Sequence, residues 1–216
     1  MDPNNPSVKF VRDLYELSND TLGKYSVPVL WDTKTKTIVN NESSEIIVMF
    51  NSAFNHFAKN PELDLAPTAL DQAMKDVDSW IYEGINNGVY KCGFAQSQEA
   101  YDDAIDNLFK NLDRLEALLG TKKFVTGDTL TFSDVRLFMT LIRFDEVYVV
   151  YFKCDRKKIS EYSNIMRYLK DLWQIDGFKE CTHMDHIKTH YFTSHPKLNH
   201  YGIIPAGPNF IKLLEK

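Results

Sequence analysis

The chain has 216 residues, 44% of them apolar, and a formal net charge of −5 at pH 7. This apolar content is enough to bury a core in one domain or two small ones. The net negative charge argues against the concentrated basic surface that nucleic-acid binding requires. No apolar run approaches the ~20 residues of a membrane-spanning helix. Three scattered cysteines, Cys92, Cys154 and Cys181, indicate a reducing compartment. We therefore expect a cytoplasmic protein that binds neither nucleic acid nor a membrane.

Residues 1–60 carry the alternation and turn signals of a short α/β segment. We predict four elements here: a helix over 8–17, strands over 26–31 and 37–40, and a helix over about 42–57. The last helix carries an apolar stripe at core-facing spacing, made of Ile46, Ile47, Phe50 and Phe54. Two strands and two helices are too few for an independent sheet of useful size.

The proline-containing stretch 59–67 predicts a linker, which divides the chain into domains of 1–60 and 61–216. The second domain is predicted to be all helical with an irregular tail, its helices lying at 68–86, 98–119, 131 to about 149, 162–173 and 184–191. Thr131 and Asp134 have the spacing of a capping box at the start of the third of these helices. That pair is a folding device, not a chemical site.

The sequence around Val27-Pro28 predicts a place where a small peptide binds. A proline within a strand removes a ladder donor, so the dipeptide marks an edge or a special turn. A cis peptide there would leave the N–H and C=O of Val27 free to pair with a ligand backbone. Glu42 and Ser43 open the following helix, where free N–H groups favour a carboxylate. Periodicity alone also allows an ordinary helix start, but the combination suits a peptide such as glutathione.

Several motifs together point to one family. They are Val27-Pro28-Val29-Leu30-Trp31-Asp32, the stretch from Ile38 to Ile47, Gly88 to Ala95, Leu141 to Asp145, Phe152 to Cys154, Asp185 to Lys188, His190-Tyr191 and Gly202 to Pro205. In these motifs the chain resembles the glutathionyl-hydroquinone reductases, the Xi class of glutathione transferases, often called omega-like. The resemblance covers nearly the whole chain.

The resemblance implies a fold and an activity. The fold is α+β, with a thioredoxin-like glutathione-binding N-terminal domain, here partial, and an all-helical C-terminal domain. The activity is the glutathione-dependent reduction of glutathionyl-hydroquinones, with glutathione as co-substrate and no metal. By the same resemblance, Val27 pairs with the cysteinyl backbone of glutathione, and Glu42 and Ser43 hold its γ-glutamyl end. A homodimer is also implied.

The aromatic half of the site is likewise implied by the resemblance. Tyr90 and Tyr191 line the site for hydroquinone-type molecules and donate hydrogen bonds to the hydroquinone oxygens, and Arg143 lies in a matching segment. From the residues alone, Tyr90 can instead be an aromatic cap at a helix end, and Tyr191 a core tyrosine with a satisfied hydroxyl.

The chain departs from the family in its catalytic motif. Family members begin with a strand–helix–strand segment whose Cys-Pro-Trp-Ala motif carries the nucleophile, whereas this sequence contains no Cys-Pro and starts in what resembles the following stretch. Cys92, next to Lys91, is the one tempting substitute, although a small semi-buried residue is the better interpretation. The alternative function is therefore a catalytically inactive binding or dimerisation protein. Val150-Tyr151 stands where the family has a Gly-His-like pair.

His183, His186 and His190 have the helical spacing of a metal site. No acidic or cysteine ligand is clearly placed to complete the coordination shell, so surface or packing histidines are the expected interpretation and no metal is predicted.

Overall fold

The computed structural model describes residues 6–215 and divides the chain into two compact units, Met1–Ala66 and Pro67–Lys216. The division falls within the proline-containing stretch that the sequence marks as a linker. Proline favours such a position because it cannot donate a backbone hydrogen bond and disfavours helix in the residue before it.

The first unit contains a two-stranded antiparallel sheet and two helices. Its elements are α1 (Val11–Leu17), β1 (Leu30–Asp32), β2 (Thr37–Asn40), α2 (Ser43–Ser52) and a short 3-10 turn (Asn55–Phe57). Asp32 closes the hairpin, since its carboxylate accepts hydrogen bonds from the backbone N–H groups of Lys34 (2.8 Å) and Thr35 (3.2 Å). Polar turn residues of this kind bond their own backbone and so stabilise a tight reversal of the chain.

The first strand is shorter than predicted, because it begins at Leu30 and not at Ser26. Pro28 has no backbone N–H and cannot take part in a regular ladder. The Val27–Pro28 peptide bond is cis.

The prediction that all of the apolar stripe on α2 faces a core is wrong. Ile46 is buried, but Phe50 is 58% exposed and Phe54 is also exposed. The helix ends at Ser52, before Phe54, so the stripe does not continue as one helical face. Within residues 6–66, two strands of three and four residues present too little apolar surface to cover both rings.

The second unit is helical, as the sequence predicts. Its helices are α3 (Asp71–Ile81), α4 (Gly88–Gly93), α5 (Gln98–Leu119), α6 (Phe132–Arg143), α7 (Val149–Tyr151), α8 (Ser163–Trp173), α9 (Met184–Ser194) and α10 (Ile211–Leu214). The bounds of α5 agree with the prediction, since a long amphipathic helix shows its period clearly. Among the described residues, no helix is both long and apolar enough to span a bilayer.

Two segments of the second unit are wider π-helical turns. Tyr82–Asn86 follows α3, and Phe144–Tyr148 lies between α6 and α7. The sequence predicts continuous helices through both segments. A π-helical turn changes the spacing of the apolar residues too little for the change to be recognised in the sequence. Such turns occur frequently at functional sites.

The capping box at the start of α6 is confirmed. Its carboxylate, that of Asp134, also bonds groups outside the helix. Asp134 accepts hydrogen bonds from the N–H of Thr131 (2.9 Å), the N–H of Val125 (2.9 Å) and the hydroxyl of Tyr168 (3.0 Å). The side chain of Asp134 is buried, and this burial raises its pKa. One carboxylate thus joins α6, α8 and the preceding loop.

The buried carboxylate of Glu146 holds the C-terminal tail. Glu146 is 3.2 Å from the ammonium group of Lys188 and also accepts a hydrogen bond from the backbone N–H of Phe210 (2.5 Å). Phe210 is buried and precedes α10, so the predicted irregular tail is anchored to the core of its unit.

Candidate functional site

Three tyrosine hydroxyls form a hydrogen-bonded chain in the second unit. The hydroxyl oxygens of Tyr90 and Tyr191 are 2.6 Å apart, and those of Tyr191 and Tyr148 are 2.9 Å apart. Tyr90 lies on α4, Tyr191 on α9, and Tyr148 ends the π-helical turn after α6. The structure therefore brings together the two tyrosines singled out in the sequence and adds a third.

Exposure increases along this chain of hydroxyls. Tyr148 is 2% exposed, Tyr191 7% and Tyr90 39%. Burial raises the pKa of both Tyr148 and Tyr191, so both remain protonated at neutral pH. Each neutral hydroxyl has one proton to donate and can also accept. The arrangement can therefore direct a hydrogen bond outward at Tyr90, the end that a ligand can reach.

Arg143 lies close enough to act on these hydroxyls. Its positive charge lowers the pKa of Tyr148 and Tyr191, in opposition to the larger effect of burial. Arg143 is the last residue of α6 and is half-buried, and its guanidinium donates to the carbonyl of Met139 one turn earlier. The π-helical turn begins directly after it, so Arg143 and Tyr148 flank one irregular segment.

Close packing of α4 fixes the position of Tyr90. Gly93 lies against Phe152 so closely that an added Cβ would be 2.0 Å from its ring. The ring of Phe152 stacks on that of Tyr148, with centroids 5.4 Å apart and an interplanar angle of 6°, and lies 5.2 Å from that of Tyr90. Only glycine at position 93 allows α4 to approach this stack.

An apolar pocket lies beside Phe94, whose ring is next to that of Tyr90. Tyr90 and Phe94 are one helical turn apart with nearly parallel rings, 6.4 Å between centroids and 12° between planes. Phe94 also contacts His195 edge to face, and Nδ1 of His195 is 3.1 Å from the hydroxyl of Tyr151. A cavity of about 460 Å³ is lined by Phe94, Ala95, Gln96 and residues 194–198. Its aromatic walls suit a flat ring.

In the first unit, one hydrogen-bond network joins the Val27-Pro28 turn to the start of α2. The Asn41 amide donates to the hydroxyls of Tyr15 (3.0 Å) and Ser26 (3.1 Å), and the Tyr15 hydroxyl donates to the Ser26 carbonyl (2.8 Å). Ser26 precedes Val27, and Asn41 precedes Glu42, so the network holds both predicted contact regions together. Val27 is exposed, and its backbone N–H and C=O have no backbone partner among residues 6–215.

Glu42 and Ser43 form the N-terminus of α2. Glu42 is the N-cap, and its carboxylate accepts hydrogen bonds from the backbone N–H (3.1 Å) and the hydroxyl (3.0 Å) of Ser44. These bonds lower the pKa of Glu42. Ser43 is the first residue of α2, so its N–H is one of those that lack an intrahelical acceptor. Glu42 therefore offers a carboxylate to a ligand's ammonium group. Ser43 offers N–H and hydroxyl donors to a ligand's carboxylate.

The structure places Cys92 away from the tyrosine hydroxyls. Cys92 and Tyr90 are two residues apart on α4 and so project from different sides of the helix. Cys92 is also buried, with only 2% of its surface exposed. The rings of His183 and His186 are 5.3 Å apart, but residues 6–215 contain no group of three side chains able to hold a metal ion.

Sequence reasoning missed Tyr148, Tyr15 and Asn41. Tyr148 lies in an aromatic-rich segment. The apolar pattern there predicts a buried ring but gives no sign that its hydroxyl has a specific hydrogen-bond partner. Asn41 lies directly before Glu42. Its side-chain amide has two donors and an acceptor, and this capacity to join several polar groups was the one signal in the sequence that could have identified it.

Comparison with known proteins gives consistent matches. A family model described as the glutathione S-transferase C-terminal domain matches residues 98–171. Glutathionyl-hydroquinone reductase YqjG of Escherichia coli (strain K12) is 50% identical over 186 residues, 86% of this chain. Its glutathione-bound structure matches with a TM-score of 0.88 and 48% identity, over 93% of this chain and 65% of that one. The glutathione transferase Xi of Phanerochaete chrysosporium matches with a TM-score of 0.90 and 48% identity, over 96% and 71%.

These matches define the α+β glutathione-transferase fold, as predicted from the sequence. Within that fold, the chain belongs to the Xi class of glutathione transferases, the class that includes the glutathionyl-hydroquinone reductases. The family resemblance is thereby confirmed. The chain spans 56% of the length of the E. coli relative and 66% of that of the omega-like 2 glutathione S-transferase of Schizosaccharomyces pombe.

Proposed function

We propose that this chain binds glutathione and takes part in the glutathione-dependent reduction of glutathionyl-hydroquinones. The observation that carries the proposal is the short hydrogen bond between the hydroxyls of Tyr90 and Tyr191. Two adjacent tyrosine hydroxyls, beside the aromatic rings of Phe94 and Phe152, match a ring that bears oxygen atoms. Relatives named as glutathionyl-hydroquinone reductases support the same substrate class.

Tyr90 and Tyr191 have the binding role in this proposal. When the ligand binds, a hydroquinone oxygen takes the place of the Tyr90–Tyr191 hydrogen bond, so that each of these two hydroxyls donates its proton to the ligand, while Tyr148 remains the buried hydrogen-bond partner of Tyr191. Neutral phenols suit this role when the ring reacts as its keto tautomer, because the electron pair of the breaking carbon–sulfur bond then passes to the ring oxygen as an enolate, and a donor at that oxygen stabilises the charge. The positive charge of Arg143 acts in the same direction.

Val27, Glu42 and Ser43 have the glutathione-binding role. The free backbone groups of Val27 pair with the cysteinyl backbone, as in an added strand. The carboxylate of Glu42 accepts from the γ-glutamyl ammonium group, and Ser43 donates to its carboxylate at the helix N-terminus. A structure with bound glutathione exists for two relatives, those of E. coli and of Saccharomyces cerevisiae, which supports this half of the proposal.

The overall reaction converts a glutathionyl-hydroquinone and glutathione into the free hydroquinone and glutathione disulfide. In the family that this chain resembles, the thiol that attacks the conjugate belongs to the cysteine of a Cys-Pro motif. The residues of this chain named above bind and orient the substrates. We further propose a homodimer that acts in the cytoplasm, which light scattering coupled to size exclusion and fractionation of cells would test.

A mass-spectrometric assay tests the proposed function. The purified chain is mixed with glutathione and a glutathionyl-hydroquinone, and glutathione disulfide and free hydroquinone are followed in time. Binding of both substrates is expected, and any turnover above the buffer rate should fall in Tyr191→Phe and persist in Tyr162→Phe, a matched buried tyrosine whose hydroxyl bonds Asp113. Turnover would support the reductase function, binding of both substrates without turnover would support a catalytically inactive binding protein, and binding of neither would contradict both functions.

A further inference from the structure

An ion pair between Glu146 and Lys188 joins the π-helical turn Phe144–Tyr148 to α9. The Lys188 ammonium nitrogen is 3.2 Å from a carboxylate oxygen of Glu146. The Glu146 side chain is 2% exposed and the Lys188 side chain 12%. Because little water reaches the two groups, their attraction is screened much less than that of a surface pair. The pair therefore constrains where α9 lies against the turn.

A second polar contact joins the same two segments. The hydroxyls of Tyr148 and Tyr191 are 2.9 Å apart. Tyr148 lies two residues after Glu146 in the turn. Tyr191 lies three residues after Lys188 on α9, and residues three apart on a helix share a face. Within residues 6–215, these two contacts are the side-chain hydrogen bonds that link the turn to α9.

The tyrosine hydroxyls tolerate little movement of α9. The rings of Tyr148 and Tyr191 meet edge to face with centroids 5.6 Å apart, a contact that changes gradually as the rings slide. A hydrogen bond between two hydroxyls requires oxygens within about 2.5–3.0 Å. A slide of α9 by one residue is about 1.5 Å, which is enough to break such a bond. Holding α9 in register therefore keeps the Tyr191 hydroxyl between its buried partner and the ligand.

The Glu146 carboxylate also holds the segment that follows α9. Its other oxygen accepts the hydrogen bond from the backbone N–H of Phe210, which is buried. The chain between α9 and Phe210 contributes residues 195–198 to the wall of the apolar pocket. Three segments thus meet at one carboxylate: the turn that carries Tyr148, the helix that carries Tyr191, and the segment that lines the pocket.

We propose that Glu146 and Lys188 are positioning residues for the tyrosine hydroxyls. Their ion pair sets how strongly the chain distinguishes a ligand ring that bears hydroxyl groups from one that bears none. Neither side chain touches the ligand, and both act through Tyr148 and Tyr191. The inference rests on the proposed function, because it concerns recognition of the same hydroquinone oxygens, and it adds the residues that hold the recognising hydroxyls in place.

Ligand preference in a variant that lacks both charges tests the proposal. Glu146→Gln/Lys188→Met removes the ion pair without leaving a buried carboxylate unpaired, which is the costly result of removing one partner alone. A glutamine amide oxygen can still accept from the N–H of Phe210, so the tail keeps its anchor. Isothermal titration of the full chain measures the affinities for glutathionyl-hydroquinone and for S-phenylglutathione, which lacks ring hydroxyls. The ratio of the two affinities is the readout, and urea denaturation verifies that each variant is folded.

The affinity ratio of the double variant is expected to fall about two- to tenfold below that of the wild type, because misplaced hydroxyls form weaker hydrogen bonds to the ligand. Lys188→Arg keeps the charge pair and should retain the wild-type ratio. Glu116→Gln is the matched control, since that carboxylate also accepts backbone hydrogen bonds, from Asn164 (2.8 Å) and Ile165 (2.9 Å), but joins α5 to α8. If the double variant does not fold, Lys188→Gln gives the same readout from the more exposed partner.

A background that lacks the Tyr191 hydroxyl shows whether the pair acts through it. In Tyr191→Phe, removing the ion pair should lower the ratio no further, since two changes that act through one contact are not additive. A wild-type preference that survives loss of the pair, or that falls equally in Glu116→Gln, would overturn the inference and leave the proposed function standing. Equal affinity of the wild type for both ligands would instead contradict the proposed function and this inference with it.

Discussion

The hydroxyl of Tyr90 is 2.6 Å from that of Tyr191, although the two residues are 101 positions apart in the chain. One is carried by the short helix α4 and the other by α9, and both belong to the helical unit. The contact brings the two tyrosines that the family resemblance selects into one hydrogen-bonded site. Tyr148, which bonds the Tyr191 hydroxyl from the buried side, orients the pair.

Replacing Tyr148 with phenylalanine is expected to weaken binding of the hydroquinone conjugate about two- to tenfold, because Tyr191 loses a hydrogen-bond partner. The free energy of unfolding falls by about 1 kcal/mol for the same reason. Isothermal titration and urea denaturation measure the two effects. Tyr162→Phe is the control, since it also removes a buried tyrosine hydroxyl bond but at Asp113. Unchanged binding by Tyr148→Phe would show that this tyrosine has no part in the site.

Replacing Gly93 with alanine is expected to lower the free energy of unfolding by about 1–3 kcal/mol, because the added methyl group overlaps the Phe152 ring. Movement of that ring disturbs the stack on Tyr148 and so reduces binding of the aromatic substrate. Thermal or chemical denaturation measures the loss. Gly207→Ala is the matched control, as an added Cβ there has no atom within 4 Å. Equal stability of the two variants would refute the close packing of α4.

Replacing Asn41 with alanine is expected to weaken glutathione binding about two- to tenfold, because its two hydrogen bonds hold Ser26 beside the start of α2. Asn51→Ala is the control in the same unit, since that side chain bonds Asp64 and Leu65 instead. Both affinities are measured by isothermal titration with glutathione. The prediction fails if Asn51→Ala loses as much affinity as Asn41→Ala.

Asp134 predicts a pH dependence of stability. Burial raises its folded-state pKa above the ordinary value of 3.8, so the folded protein binds a proton more readily than the unfolded chain. Stability attributable to this group therefore rises as pH falls through the raised pKa toward 3.8, and is lost as pH rises again. Unfolding free energies of the wild type and Asp134→Asn, compared over pH, should diverge in favour of the wild type on acidification. A constant or shrinking difference would contradict the raised pKa.

The sequence predicts most of the helical unit because its signals are local and strong. The long period of α5 and the Thr131–Asp134 cap are examples, since each depends on residues only a few positions apart. The π-helical turn Phe144–Tyr148 was not predicted, because it is stabilised by packing within the unit and leaves the apolar period nearly intact.

The site was predictable in part. The family motifs select Tyr90, Tyr191, Glu42 and Ser43, but the hydroxyl of Tyr148 gains its partner only when the π-helical turn and α9 meet. For Phe50 the sequence predicts too much. Its periodic position indicates a core residue, but the described residues of the first unit leave its side chain exposed. Both outcomes depend on contacts between segments that are far apart in the chain, and a local sequence pattern does not predict such contacts.

The central claim, that tyrosine hydroxyls recognise the oxygens of a hydroquinone, is tested most directly by comparing two ligands. Glutathionyl-hydroquinone carries two ring hydroxyls, and S-phenylglutathione carries none. Isothermal titration measures the affinity of each for the wild type, Tyr90→Phe, Tyr191→Phe and the control Tyr162→Phe.

The account predicts that the wild type and Tyr162→Phe prefer the hydroquinone ligand about fivefold or more, since each hydrogen bond contributes about 1 kcal/mol. The preference should shrink in Tyr90→Phe and Tyr191→Phe, while affinity for S-phenylglutathione stays nearly constant. Equal affinity of the wild type for both ligands, or a preference that survives in both variants, would contradict the account.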